Sequence, residues 1–111
     1  MLDYIIEHTN KYIDDMPKNQ RKKYGQFFTS KETAYFMAGL YTIPKNKSKI
    51  SILDAGAGSG ILSCAFLERF EQIDSIQTIE LTCYENDDNI LGLLKENLQI
   101  CQANSKKHIQ I

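Results

Sequence analysis

The run Asp54-Ala55-Gly56-Ala57-Gly58-Ser59-Gly60 places three glycines at alternate positions behind an acid. Without a Cβ, such a run takes backbone conformations closed to other residues and lets a ligand lie against bare main chain. The spacing is Gly-x-Gly-x-Gly, not the Gly-x-Gly-x-x-Gly of dinucleotide folds, and no Gly-Lys-Ser/Thr is present, so phosphate cradling is disfavoured. About 30 residues on, Glu85 stands where a carboxylate can accept hydrogen bonds from both hydroxyls of a ribose. A nucleoside is the implied ligand. The plain alternatives are an ordinary strand-to-helix turn for the glycines and a helix N-terminal acid for Glu85. For Asp87 and Asp88, helix capping is the preferred reading.

These residues need a scaffold that brings them to one place. Ile50-Ser51-Ile52-Leu53 reads as a short buried strand ending at Asp54, and Ser59 to Phe70 carries Ile61, Leu62, Ala65, Phe66, Leu67 and Phe70 at helical spacing. Thr78 to Tyr84 is rich in β-branched and aromatic residues, so strand, helix and strand follow in order. Asp87 or Asp88 caps a further helix bearing Ile90, Leu91, Leu93, Leu94, Leu98 and Cys101, and His108 to Ile111 resembles the start of a third strand. Alternating strands and helices predict an α/β fold with a parallel sheet, in which ligands lie beyond the carboxyl ends of the strands. Asp54, the glycines and Glu85 converge there.

Two helices are expected ahead of the sheet. Leu2, Ile5, Ile6, Thr9, Tyr12, Ile13 and Met16 recur at helical spacing up to Pro17. Lys18 to Phe28 has no clean period and reads as a loop, after which Thr29-x-x-Glu32 fits a capping box for a helix carrying Ala34, Phe36, Met37, Ala38, Leu40 and Tyr41. Tyr35, Phe36, Met37 and Tyr41 are candidates for core or interface. The division is thus a helical preface, 1–49, and the first half of a ligand-binding α/β domain, 50–111.

At 111 residues, with 42% hydrophobic and 24% charged, the chain has the composition of one small globular unit or of a piece of a larger one. It lacks a long apolar stretch and a signal-like start, so no membrane and a cytoplasmic address are expected. Cys64, Cys83 and Cys101 have neither the number nor the spacing of a disulfide framework or a zinc site, and read as buried thiols. No metal is implied, and His8 and His108 are isolated. A net charge of −1 hides an asymmetry: Lys18, Arg21, Lys22, Lys23 and Lys31 fall in an acid-free stretch, whereas Glu71 to Asp88 holds only acids. A solvated loop accounts for the cations, but phosphates, if met at all, would be met on that side.

With these residues in view, the chain resembles the N6-adenine DNA methyltransferases of restriction-modification systems, in the arrangement where the cofactor motifs come first. Tyr24-Gly25-Gln26-Phe27-Phe28-Thr29-Ser30 is similar to that family's Gly-Gln-Phe/Tyr-Phe/Tyr-Thr-Pro segment, the most specific of three matches. Ile52 to Gly60 looks like the cofactor loop shared by class I methyltransferases, and Tyr84-Glu85-Asn86-Asp87 looks like the ribose-binding strand end. The resemblance spans roughly Arg21 to Leu98. It implies a Rossmann-like class I methyltransferase fold and S-adenosyl-L-methionine as cofactor, held by Gly25, Gln26, Phe27, Phe28 and Thr29, by Asp54, Ala55, Gly56, Gly58 and Gly60, and by Glu85 and Asn86. The acids Asp54, Glu85, Asp87 and Asp88 suit a sulfonium and an ammonium better than a pyrophosphate.

Three positions depart from the pattern. Ser30 replaces a proline, Asn86 an apolar residue, and the Asn-Pro-Pro-aromatic motif is missing, since the only prolines are Pro17 and Pro44. The resemblance therefore implies no catalytic residue in this chain, which is expected to be the N-terminal portion of a longer enzyme and inactive by itself. DNA, a specificity or restriction subunit, and self-association through an exposed sheet edge are the partners expected. The cofactor turn alone leaves RNA, protein or a small molecule open as substrate. It also leaves open a non-catalytic interaction module.

Overall fold

The computed structural model describes residues 1–24 and 28–111, the side chains of 22–24 excepted. In chain order the elements are α1 (Leu2–Asp14), α2 (Lys18–Tyr24), α3 (Lys31–Leu40), β1 (Lys49–Ala55), α4 (Ile61–Glu71), β2 (Thr78–Tyr84), α5 (Asp88–Ala103) and β3 (His108–Gln110). The strands form one parallel sheet in the order β1-β2-β3, with Ile50 opposite Ile79, Asp54 opposite Cys83, and Ile79 opposite Ile109. This is the α/β arrangement with a parallel sheet that the alternation of patterns predicts, and it agrees with the Rossmann-like fold that the resemblance implies.

Both crossovers step in the same direction, so right-handed connections lay α4 and α5 on one face of the sheet. Side-chain burial follows: Ile50, Ile79, Leu81 and Ile109 point into a core with Cys64, Phe70, Leu94 and Leu98, while Ser51, Leu53, Thr82, Tyr84 and Gln110 are exposed. The expectation of a buried strand at Ile50–Leu53 is corrected accordingly. Leu53 is 67% exposed because helices cover one face alone, and the strand shows the alternation of a half-covered sheet. On the bare face the Lys49 ammonium pairs with Glu80 Oε1 at 2.9 Å, and the Ser51 hydroxyl donates to Glu80 Oε2 at 3.0 Å.

The preface folds onto the same core. Leu2, Ile5, Thr9 and Ile13 of α1 are buried, three to four residues apart as an amphipathic helix requires. In α3 the buried residues are Ala34 and Ala38, whose small side chains let the helix lie close to α4, so Phe36 (68% exposed) and Leu40 (67%) face outward. The Arg69 guanidinium of α4 donates to the carbonyls of Ala38 and Tyr41, placing a cation at the carboxyl end of α3. Phe70 packs edge-on against Tyr41, ring centroids 5.9 Å apart.

Two local expectations are corrected. Lys18–Phe28, read as a loop, contains α2: its residues lack an apolar period but include good helix formers, and Pro17 leads in, its carbonyl accepting from the amides of Gln20 and Arg21. The cap of α3 is Ser30, not Thr29. Ser30 has extended backbone and its hydroxyl accepts from the Thr33 amide at 3.2 Å, as a helix N-cap does. The expectation at α5 holds, with Asp87 as cap accepting from the Asn89 amide. Cys64 and Cys101 are buried side by side and Cys83 is partly buried, all three as free thiols. Among the described residues no helix is long and apolar enough to cross a membrane.

At the far end of α4, burial alone would raise the Glu71 carboxyl. Hydrogen bonds from the Ser105 hydroxyl and the Lys106 amide, with the Lys106 and Lys107 charges, outweigh that and bring it below its ordinary 4.5. A carboxyl lowered on folding contributes stability above its unfolded pKa, and the contribution disappears as pH falls through the folded value. Glu71→Gln is therefore expected to lower Tm at neutral pH, with the gap to wild type closing below about pH 4.5. Thermal unfolding followed by circular dichroism across pH checks this; a gap that persists in acid would contradict it.

Candidate functional site

The carboxyl ends of β1 and β2 meet at the glycine turn. Gly56, Gly58 and Gly60 all have left-handed backbone, with φ of 71°, 59° and 90°. Each such conformation costs an L-residue about 1–2 kcal/mol, which is the local reason for glycine here. At Gly60 space is also tight, because an added Cβ would lie 3.0 Å from Leu94 Cδ1 on α5, which would have to give way. Gly60 is thus a buried anchor on which α4 starts. Gly58 faces the other way, and a Cβ there would lie 3.6 Å from the Phe28 ring.

The turn is tied to β2 through its own main chain. The Ala57 amide donates to the Tyr84 carbonyl at 2.9 Å, and the Gly58 amide donates to Glu85 Oε1 at 2.9 Å. Glu85 Oε2 accepts from the Asp87 amide at 3.0 Å, so one carboxylate joins the turn to the start of α5. From the helix side, the Asn97 side chain donates to the Ser59 carbonyl at 2.8 Å. Ser59 is 1% exposed, and its hydroxyl has no hydrogen-bond partner among the described residues.

Asp54 lies on the covered face of β1, where the Ser63 hydroxyl of α4 donates to its Oδ2 at 2.5 Å. The same hydroxyl is 3.5 Å from the Cys83 sulfur on the neighbouring strand. Burial pushes the Cys83 thiol above its ordinary range, so it stays neutral beside the acid.

Phe28, Thr29, Asp54, Gly56 and Gly58 line one cleft, with Ala57, Ser59, Ile61 and Leu62. Its volume is about 80 Å³, next to a cavity of about 670 Å³ that shares Phe28, Thr29 and Ile61 and extends along Ile6, Asn10, Ile13, Asp14 and Ser30 to Glu32. Phe28 stands between the two. Glu85 reaches the cleft through Gly58, whereas Ala55 and Asn86 are exposed at the ends of their strands. Gly25, Gln26 and Phe27 lie outside the described residues. Among the cations of the basic stretch, Lys31 is engaged: its ammonium pairs with Asp3 at 2.6 Å, a bond that raises the lysine and lowers the aspartate from their ordinary values. No group of His, Cys, Asp and Glu able to hold a metal ion occurs among the described residues.

Ser63, Ser59 and Asn97 escape a reading of the sequence. For Asn97 a signal existed, since it interrupts the apolar series Ile90, Leu93, Leu94, Leu98, Cys101, and a polar residue on a buried helical face requires partners. Those partners include His8, whose Nδ1 is 2.7 Å from Asn97 Oδ1, so the histidine that reads as isolated is bound across 89 positions of sequence.

A parallel sheet whose first strand runs into a glycine turn, held by the acid that follows the second strand, is a Rossmann-like arrangement. Residues 7–111 match the family model described as N-6 DNA Methylase, and the chain belongs to that family. It is 32% identical over 102 residues to Type II methyltransferase M.PstI of Providencia stuartii, which covers 92% of this chain and 19% of that protein. With Type II methyltransferase M.BsuBI of Bacillus subtilis it shares 34% identity over 96 residues, 86% of this chain and 18% of that protein. The chain therefore spans about a fifth of the length of these relatives. No solved structure matches it.

The two kinds of glycine in the chain are expected to respond oppositely to alanine. Gly60→Ala combines a left-handed backbone with the Leu94 contact and is expected to destabilise by about 1–3 kcal/mol. Gly39→Ala, in α3 with nothing within 4 Å of the new methyl, is expected to stabilise by about 0.4–1 kcal/mol. Urea unfolding of both variants checks the pair, and equal effects would contradict the assignment of Gly60 as an anchor.

Proposed function

We propose that this chain is the S-adenosyl-L-methionine-binding portion of an N6-adenine DNA methyltransferase of a restriction-modification system. The observation that carries this reading is the glycine turn held against Glu85 at the carboxyl ends of β1 and β2, in a chain of the N-6 DNA Methylase family. Family membership implies S-adenosylmethionine as methyl donor.

The residues present fit that cofactor. The donor set is acidic, Asp54 with Glu85, Asp87 and Asp88 at the rim, which favours an ammonium and a sulfonium. Glu85 uses one acceptor site on each oxygen for the Gly58 and Asp87 amides, and a carboxylate has about four, so sites remain for ribose hydroxyls. Ser59, whose buried hydroxyl has no hydrogen-bond partner among the described residues, also lines the cleft. Typical ligand pockets hold about 300–1,000 Å³. The cleft of about 80 Å³ has room for one end of the cofactor, and Glu85 at the strand ends is the group for the sugar.

When bound, the cofactor supplies an electrophilic methyl group on sulfur. The part of this chain is to bind and orient: the turn exposes main chain, Glu85 fixes the sugar, and Phe28, with Gly25, Gln26, Phe27 and Thr29 of the same segment, closes over the methionine end. Asp54 is held by Ser63 and borders the cleft, and Ala55, Gly56, Gly60 and Asn86 shape the two strand ends. Residues 1–49 serve as a preface that seats Phe28, and 50–111 as the cofactor-binding half-domain. Methyl transfer to a flipped adenine depends on alignment, which needs groups that grip the exocyclic amine and stack on the base. The sequence has no Asn-Pro-Pro-aromatic run to do so, and we assign it no catalytic residue. DNA is the proposed substrate of the longer enzyme. Exposed Phe36, Leu40, Leu53 and Tyr84 favour contact with further protein, whether a second copy or a specificity or restriction subunit.

Calorimetric titration with S-adenosylmethionine is expected to give a dissociation constant of about micromolar, weakened roughly tenfold or more in Glu85→Ala. With methyl-labelled cofactor and adenine-containing DNA, the chain alone is expected to leave the DNA unlabelled. Absence of heat at about millimolar cofactor overturns the binding assignment, and label in DNA overturns the division of labour.

A further inference from the structure

Asn97 is 0% exposed, and its side-chain amide bonds to three residues on two other segments, Ser59 in the turn and His8 and Thr9 in α1. Its Nδ2 donates to the Ser59 carbonyl at 2.8 Å and to Thr9 Oγ1 at 3.4 Å, while Oδ1 lies 2.7 Å from His8 Nδ1. The chemistry fixes its orientation. A carbonyl only accepts, so the amide nitrogen must face Ser59, and Oδ1 is left to accept from a protonated His8 Nδ1. Thr9 completes the pattern by donating its own proton to the Ile5 carbonyl at 2.8 Å. His8 Nε2 in turn lies 3.4 Å from Glu96 Oε2.

Packing alone does not call for this residue. A leucine of similar volume would fill the space between α1 and α5 without the cost of burying an amide. An amide adds direction. Ser59 sits between two glycines of left-handed backbone, the part of the turn with the largest conformational freedom, and its carbonyl is gripped from α5 while the Gly58 amide is gripped by Glu85. The two grips hold adjacent residues of the turn.

We propose that Asn97 is a positioning residue for the cofactor turn, and that His8 and Thr9 hold its amide in register, so that docking of α1 is coupled to turn geometry and through it to cofactor affinity. This rests on the cofactor-binding reading above.

The test is Asn97→Leu in the full chain, with two readouts. Hydrogen exchange is expected to show faster exchange of the Gly58 and Gly60 amides with β2 amides still protected, and calorimetry a roughly tenfold weaker dissociation constant for S-adenosylmethionine. Ile109→Ala, a core truncation on β3 that touches none of these groups, is the control: stability falls, and turn protection and affinity stay. If Asn97→Leu does not fold, the wild-type chain carries the test by nitrogen-15 NMR, where the Asn97 side-chain amide signals are expected to shift on cofactor titration together with the Ser59 and Gly60 amides. Unchanged turn exchange and affinity in the variant, or an Asn97 amide that ignores the cofactor, overturns the proposal. A wild-type chain that takes up no cofactor overturns the reading beneath it, and with it the link to affinity. That outcome is told apart by turn exchange, which still rises in Asn97→Leu if the grip is real.

Discussion

A carboxylate accepting from two main-chain amides, one in the glycine turn and one at the start of α5, is the contact on which the site depends. Each bond from Glu85 to a neutral amide is charge-assisted and stronger than an ordinary hydrogen bond. Without it the ties of the turn to the end of β2 would be reduced to the Ala57–Tyr84 link, in a sequence of glycines with little conformational preference of its own. The contact in turn requires the parallel register that sets Ala55 opposite Tyr84, and that register is fixed by the buried faces: a slip of one residue would send Ile79 and Leu81 to water.

The helical layer serves the same end. Because α4 and α5 share one face of the sheet, α4 can present Ser63 to Asp54, and α5 can present Leu94 to Gly60 and Asn97 to Ser59. The preface brings Phe28 over Gly58 and, through α1, closes the buried amide network at His8 and Thr9. Residues from the start of the chain therefore belong to the same physical unit as the sheet, with Leu2 and Ile5 in one core with Ile79 and Leu81.

What could be read from the sequence was local. The strand, the alternating glycines and the apolar helix after them are contiguous, so Asp54 to Phe70 declared its structure, and Glu85 could be assigned to the end of the next strand by composition. The helix α2 is hard to read because its helicity lies in propensity, with no apolar stripe to mark it, and the cap of α3 is ambiguous by one residue because Thr29 and Ser30 are both capable of it. The one-sided sheet was out of reach for a different reason: Leu53 is apolar and yet exposed, and only the direction of the crossovers determines which face of β1 is bare. Long-range polar contacts were the least legible. His8 and Asn97 are 89 positions apart, and neither has neighbours in sequence that point to the other.

The bare face of the sheet changes character along its strands. Near their amino ends it is ionic, with Lys49, Glu80 and Ser51 in one network, and toward their carboxyl ends it gives way to the uncovered side chains of Leu53 and Tyr84. Water is thus well held at one end of the sheet and poorly held at the other. Any molecule settling beside the glycine turn from that side displaces weakly bound solvent, so the hydrophobic contribution to its arrival is concentrated at the rim of the cleft and absent a few residues away.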